Sequence, residues 1–414
     1  SGTMNLTEPQ AGSDVGALRT LALKNNDGTY KITGQKIYIS WGDHSLSSNI
    51  CHLLLARLPN SPKGTKGISL FLVPKYIPDQ NGNINEVNSI NTISLEHKMG
   101  LHGSPTAVLE YNNAKAWLIG EENKGMMAMF TMMNNARLGV AVQGLSQSEL
   151  ATQKAIEFAK TRHQGRNMNN FEEISTPIIN HADVRRNLLI MKSLTYISRA
   201  LCFETALTID LSKNKNDPFL KRKASFLTPI AKSFCTEIGG KVADLAIQIH
   251  GGMGYIEETG ISQVYRDVRI TSIYEGTNGI QAMDFVGRKL GSNGDIAYSI
   301  LDEIKMNEQI INQKKSSVVD YIENARISLT KATDWMISQN DLNDRYSGAD
   351  PFLRAFALII GANYMLKTLI TTDQEDKIEL ANFYIKNLLP FCNIESSIAT
   401  LGANNLYENV NSIF

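Results

Sequence analysis

The sequence predicts an α+β protein, with an antiparallel β domain over residues 1–120, a four-helix bundle over residues 121–290 and a further helical domain over residues 291–414. Three observations carry this prediction. Alternating runs separated by turn residues fill the first stretch of the chain. Near Glu122 the apolar period changes to three and four residues. Gly291–Asp295, "GSNGD", then punctuates the chain ahead of a second helical set.

Taken in order, Thr29–Ser40, Ile50–Leu58, Gly67–Tyr76 and Ala107–Ile119 read as strands, parted by Asn-Asp-Gly, Pro-Asn-Ser-Pro and Asn-Gly-Asn turn signals. The next stretch, Gly125–Arg162, keeps helical periodicity for about ten turns, far beyond the usual helix, so its glycines are expected to divide it. His181–Lys213 follows with Asn180 as its expected cap. Pro218–Gly252 has Asp217 as cap and Pro218 at the first helical position. The segment after Glu275 is expected to be the fourth long helix of a bundle. Leu329–Asp341, Asp350–Ile370 and Asp376–Phe391 supply the final helices.

With 414 residues, 43% hydrophobic and 20% charged, the chain is long enough for two or three domains around a large core. Its 41 basic and 41 acidic residues cancel, which argues against nucleic acid and anionic membrane surfaces as partners. Cys51, Cys202, Cys235 and Cys392 are scattered, without zinc spacing, and read as buried thiols in a reducing cytoplasm. Neither a signal-peptide pattern nor an apolar run of membrane-spanning length is read in the sequence. The chain opens directly in loop chemistry, "SGTMNLTEPQAGSD", and is expected to be a fragment.

Six segments could carry chemistry. Leu6–Asp14 offers the Thr7 and Ser13 hydroxyls and free amides around Ala11 and Gly12, though the same residues build ordinary turns. In Gln35–His44, Tyr38 could lie against a ring while Ser40 supplies a hydrogen bond; a core tyrosine in a half-buried strand is the plainer reading. Arg137, three residues after Asn134, sits in an apolar helix, where it meets a carboxylate, meets an anionic ligand or turns to solvent. Arg162, Gln164 and Arg166 end that helix, where cations also complement the helix dipole. In Gln248–Tyr255, Gly251, Gly252 and Gly254 together point to something lying against the backbone. The sixth is Glu275, a lone acid before a Gly-Thr-Asn-Gly run.

Read together, "LTEPQAGSD", "KIYISWG", "NARLGVA", "RHQG", "QIHGGMGY" and "YRDVRITSIYEGTNGIQ" resemble the acyl-CoA dehydrogenase family of flavoenzymes, in the family's order and approximate spacing from Met4 to Leu290. The tail resembles the larger branch with an extra C-terminal domain, which includes 3-methylmercaptopropionyl-CoA dehydrogenase-like proteins. The resemblance implies FAD between the β domain and the helices. It also implies a fatty acyl-CoA thioester whose α-proton is removed by Glu275 while the β-hydride passes to flavin N5, giving the trans-2-enoyl-CoA. The Glu275 N–H and a ribityl hydroxyl would polarise the thioester carbonyl, and Gly276 would leave room beside the acyl group.

By the same resemblance Met4, Leu6, Thr7 and Ser13 line the flavin, with Tyr38, Ile39 and Ser40 at its other edge; Ser13, Asn134 and Arg137 approach the CoA. Arg162 and Gln164 would reach the FAD of a neighbouring subunit, and Gln248, Gly251 and Gly252, with Thr277, Asn278 and Gly279, would hold its ADP portion. A homo-oligomer, dimer or tetramer, is therefore implied, with an electron-transfer flavoprotein as acceptor and no metal.

The sequence departs from the family pattern in places. Trp is common where Tyr38 stands, Thr where Ser40 stands, Asn where Trp41 stands and Asp where Asn134 stands. Gly279 lacks an amide side chain often found there, and an insertion follows Arg166. The family's N-terminal helical domain does not precede Thr3, so the 414-residue form is expected to bind FAD weakly or not at all. The alternatives are an acyl-CoA oxidase, a DNA-associated member of the fold, which the zero net charge disfavours, and a helical scaffold without activity.

Overall fold

Alternation and turn chemistry give nine strands in the computed structural model, which describes residues 1–166, 175–313, 317–408, 410 and 413. They are β1 (Gly2–Asn5), β2 (Leu21–Lys24), β3 (Tyr30–Ser40), β4 (Cys51–Arg57), β5 (Ile68–Pro74), β6 (Tyr76–Pro78), β7 (Ile84–Val87), β8 (Ile90–Leu95) and β9 (Thr106–Ile119). The main sheet runs β1-β4-β2-β3-β9-β5, with β8 on β9, and a further β4–β5 pairing closes the path on itself; β6 and β7 form a separate hairpin. The sheet is not purely antiparallel. Short β1 has no hairpin partner and satisfies its amides by running parallel to β4, from Gly2↔Cys51 to Asn5↔Leu54, and β2 meets β4 in parallel at Leu21↔Arg57. Leu54, Ala56, Ile32, Phe71 and Tyr111 bury on one face, and Leu55, Leu70, Leu18 and Ala11 pack with Met129 in a second cluster.

The chain divides into two compact units, Ser1–Asn135 and Ala136–Phe414, so the two helical sets expected on either side of residue 290 fall in one unit. Helix α1 (Gly125–Thr161) is undivided. Its Gly144 is a site of close approach: a Cβ there would lie 2.4 Å from the Cys235 carbonyl oxygen. Helix α2 (Ala182–Asn214) starts at His181. Asn180 does not cap it, because its amide donates to Thr176 Oγ1 at 2.7 Å. Helix α3 (Pro218–His250) is capped by Asp217, which accepts from the Phe219 N–H. The insertion expected after Arg166 lies, as far as residue 174, outside the described residues.

The long fourth helix expected after Glu275 is instead short, α5 (Asn278–Asp284), running into a π-helical turn at Phe285–Lys289, and a further short helix, α4 (Ile261–Arg269), precedes Glu275. Gly276 and the Thr277 cap break the apolar period between them. The remainder is α6 (Asp295–Gln313), α7 (Val319–Ser338), α8 (Leu342–Ser347), α9 (Ala349–Thr371), α10 (Glu375–Asn387), α11 (Phe391–Ala399) and α12 (Asn404–Tyr407). At 23 residues α9 is long and apolar enough to cross a membrane, contrary to the sequence reading, yet 72% of its apolar stretch is buried. Phe352 and Phe356 of α9 pack edge-on or tilted against Phe226 of α3 and Phe285, with centroids 4.7–5.7 Å apart across the cluster. Burying one such ring contributes about 2–3 kcal/mol, so the C-terminal helices share one core with the turn that follows Glu275.

Candidate active site

Glu275 lies in the link between α4 and α5 with φ +54°, and Gly276 follows at φ +84°. A non-glycine residue in this left-handed region costs roughly 1–2 kcal/mol, so the surroundings must hold it. They do so through backbone carbonyls. Gln281 Nε2 donates to the Glu275 and Gly276 oxygens at 3.3 and 3.4 Å, and Lys232 Nζ donates to the Gly276 oxygen at 2.7 Å. Thr277 caps α5 by accepting from the Ile280 N–H. A Cβ on Gly276 would stand 2.7 Å from Gln281 Nε2, which is why glycine occupies the position. Among the described residues, no backbone acceptor takes the Glu275 N–H.

The Glu275 side chain is half-buried. Burial raises its carboxyl above the ordinary value, opposed by Arg137 and then Lys232. Lys232 is 0% exposed, and burial, reinforced by Arg137 and opposed by Glu275, lowers its ammonium to about 8. Tyr274, beside the acid, donates its hydroxyl to Gln143. Arg137 is neither solvated nor free for a ligand at every nitrogen: it is 4% exposed and Nη1 donates to Asp284 Oδ2 at 3.2 Å, while Arg288 Nε reaches Asp284 Oδ1 at 2.6 Å. Asn278 turns into α3. Its Oδ1 accepts from Lys232 Nζ at 3.0 Å and Thr236 Oγ1 at 3.2 Å, and its Nδ2 donates to the Ser233 oxygen.

A cavity of about 560 Å³ opens at the C-terminal end of α3, lined among others by Phe158, Arg162, Gln164, His250, Gly251 and Gly252. The structure thus brings together Gly251 and Gly252, two of the residues expected at the ADP portion, with Arg162 and Gln164, expected to reach the FAD of a neighbouring subunit. The rings of Phe158 and His250 stack with centroids 4.3 Å apart, and His250 Nδ1 hydrogen-bonds the Ala246 oxygen at 2.7 Å. No atom lies within 4 Å of a Cβ built on Gly251 or Gly252, whereas Gly254 is turned against the Ile247 carbonyl and serves packing. A flat ring bearing phosphates suits this lining: aromatic walls, bare backbone and the exposed Arg162 and Gln164. Gln248 is exposed and contributes its carbonyl to the Gly251 N–H; neither it nor Thr277, Asn278 or Gly279 lines the cavity.

In the first unit, the segment from Leu6 to Asp14 is anchored by Glu8, which the sequence reading passed over. Buried Glu8 accepts from Lys36 Nζ at 2.8 Å, Thr20 Oγ1 at 2.6 Å and the Arg19 N–H at 2.6 Å, and Lys36 also donates to the Leu6 oxygen at 3.0 Å. Burial opposes this charge, but the Lys36 cation and these hydrogen bonds override it and hold the Glu8 carboxyl at about 2. The Ala11 amide is not free, since it donates to the Glu8 oxygen at 2.9 Å; Gly12 and Ser13 remain exposed. The Thr7 oxygen accepts from the Ile37 N–H, and Met4, Leu6 and Thr7 are half-buried.

Strand β3 is bulged between Lys36 and Ile39, where Tyr38 adopts φ +61° and is 61% exposed, so it is not a core tyrosine. Ser40 is exposed beside it. Ile39 is buried, leaving only its backbone for a ligand, and Asn134 is exposed. Sequence reasoning missed Lys232, Gln281, Asp284 and Lys36. The signal available for the two lysines was a single cation within an apolar run, "TPIAKSFC" and "GQKIYIS".

Residues 3–114 match the family model for the acyl-CoA dehydrogenase middle domain, and residues 123–290 match that for the acyl-CoA dehydrogenase C-terminal domain. The chain therefore belongs to the acyl-CoA dehydrogenase family of oxidoreductases, flavoenzymes whose cofactor is FAD. Within that family it is 42% identical to 3-methylmercaptopropionyl-CoA dehydrogenase of Ruegeria pomeroyi, over 97% of this chain and 71% of that protein. It is 41% identical to a butyryl-CoA dehydrogenase of Syntrophomonas wolfei over 70% of this chain, spanning about half, 49%, of that relative. Among solved structures, ACDH-11 of Caenorhabditis elegans in complex with C11-CoA superposes with a TM-score of 0.81 over 100% of this chain and 68% of that one, at 23% identity, a likeness of fold.

Proposed function

We propose that this chain carries out FAD-dependent α,β-dehydrogenation of an acyl-CoA thioester, with Glu275 as the base that removes the α-proton. The observation that carries this reading is the state of Glu275: left-handed, half-buried, its carboxyl raised by burial, with Arg137 and Lys232 keeping the ionised form accessible. A carboxylate raised toward neutrality is a competent base for a weak carbon acid, and it acts only when ionised, so turnover rises with pH through its pKa. The Glu275 N–H is available to polarise the thioester carbonyl as negative charge develops on it.

FAD, when bound, supplies the acceptor for the β-hydride. Arg162, Gln164, Gly251 and Gly252 would hold the ADP portion of a neighbouring subunit's FAD in the cavity they line, and Tyr38 and Ser40 would present an exposed surface to a flavin ring. We further place the protein in the cytoplasm as a homo-oligomer that passes electrons to an electron-transfer flavoprotein; the four unpaired cysteines support the compartment. Anaerobic titration with a panel of acyl-CoAs tests the reaction. Flavin absorbance bleaches in the wild type and persists in Glu275→Gln, and bleaching that survives the substitution means that another group is the base.

A further inference from the structure

We propose that Lys232 is a positioning residue for the reaction: from inside α3 it fixes the Glu275–Gly276 backbone in its left-handed path and presents a cation to the base. The inference rests on Glu275 being that base. Lys232 is fully buried in the middle of a helix whose neighbouring residues, Phe226 to Thr236, are buried too. A lysine in such a place is costly unless its ammonium is satisfied. Among the described residues its hydrogen-bond partners directly follow the acid, the Gly276 oxygen at 2.7 Å in the link and Asn278 Oδ1 at 3.0 Å at the start of α5.

This arrangement links two functions. The hydrogen bond to Gly276 acts on the residue directly after Glu275, where the chain stays left-handed, so its loss frees the peptide that aims the carboxylate. The bond to Asn278 ties the first turn of α5 to the same cation, and Thr236 of α3 adds a second donor to that oxygen. Electrostatically, Glu275 faces Arg137 from α1 and Lys232 from α3, with the Tyr274 phenol beside it. Arg137 is already committed to Asp284 of α5, which Arg288 also engages. Lys232 has no carboxylate in salt-bridge contact with it among the described residues, leaving Glu275 as the acid its charge acts upon.

The test compares the full chain with Lys232→Met and Lys232→Arg by amide hydrogen exchange and by the pH dependence of turnover on butyryl-CoA with a dye acceptor. In the Met variant the amides of Glu275–Gly279 exchange about tenfold faster or more, kcat falls about 10- to 100-fold and KM moves by less than about threefold. The acid limb of kcat/KM moves to higher pH, because a cation that favours the carboxylate has gone. The Arg variant, with charge and donors retained, recovers slow exchange and the lower limb, which a merely space-filling role for the side chain would not produce. Wild-type exchange together with a wild-type acid limb in the Met variant overturns the proposal. Should Lys232→Met not fold, neutral Lys232→Gln replaces it: an upward limb supports the proposal and an unmoved one overturns it. Exchange needs no turnover, so a Glu275→Gln protein that still dehydrogenates removes the base assignment while the clamp on the loop is judged separately.

Discussion

Arg137 Nη1 lies 3.2 Å from Asp284 Oδ2, both side chains at most 4% exposed, and Arg137 Nε has no hydrogen-bond partner among the described residues. Removing the acid strands a buried guanidinium. Asp284→Ala is therefore expected to lower unfolding free energy by about 3–5 kcal/mol in chemical denaturation. The double replacement Arg137→Met with Asp284→Leu regains part of that loss, since an apolar pair of similar volume leaves no uncompensated charge.

Taking away only the cation has a different signature. Arg137 is the stronger of the two charges that hold the Glu275 carboxyl down against burial. Arg137→Met therefore raises the Glu275 pKa further, and because the ionised form is the active one, the acid limb of the kcat/KM profile shifts to higher pH. A limb that stays in place or moves to lower pH contradicts the electrostatic assignment.

Gly276→Ala tests the loop by steric means. The substitution puts a Cβ at φ +84° and 2.7 Å from Gln281 Nε2, so the glutamine or the loop must shift. Stability is expected to fall by about 1–2 kcal/mol, read as a lower unfolding midpoint, and kcat to fall more steeply than the stability loss accounts for, because the same carbonyl is held by Lys232.

The first unit carries a pH dependence of its own. Glu8 sits at about 2 in the folded chain against an ordinary 4.5, so its contribution to stability is present above the ordinary value and is lost as pH falls toward 2. Glu8→Gln flattens that part of the stability-versus-pH curve and lowers the plateau above it, with the buried Lys36 ammonium left without its counter-ion. Urea titrations at stepped pH on the wild type and the variant measure both effects.

Much of this was legible in the sequence. Alternation located the four principal strands, period located the long helices, and six short motifs placed Glu275 and the glycine-rich turn after α3. What escaped were relationships that depend on depth and direction. A lysine in an apolar run reads alike whether it snorkels outward, as lysines usually do, or points inward as Lys232 and Lys36 do. Parallel pairing of β1 with β4 joins segments about fifty residues apart and leaves no local pattern. The left-handed turns at Tyr38 and Glu275 contradict local propensity and exist only because neighbouring elements hold them, which is where sequence rules are expected to fail at a working site.

The cavity at the end of α3 offers a way to separate ligand binding from folding. A side chain at position 252 meets no atom within 4 Å of its Cβ, and the residue has no left-handed φ to disfavour it. Gly252→Leu should therefore fold with an unfolding midpoint within about 2 °C of the wild type, surface changes without a strained backbone being nearly neutral. The branched side chain nevertheless occupies space among Phe158, Arg162 and Gln164 that an ADP group would need. FAD content after purification and the affinity for added ADP, measured by calorimetry, are expected to fall at least about tenfold. Arg162→Ala should reduce the same affinity by removing the cation facing the phosphates, with a weaker salt dependence than the wild type shows. If Gly252→Leu keeps full FAD and ADP affinity while folding normally, the cavity is not the ADP site, and the residues that line it meet there for packing alone.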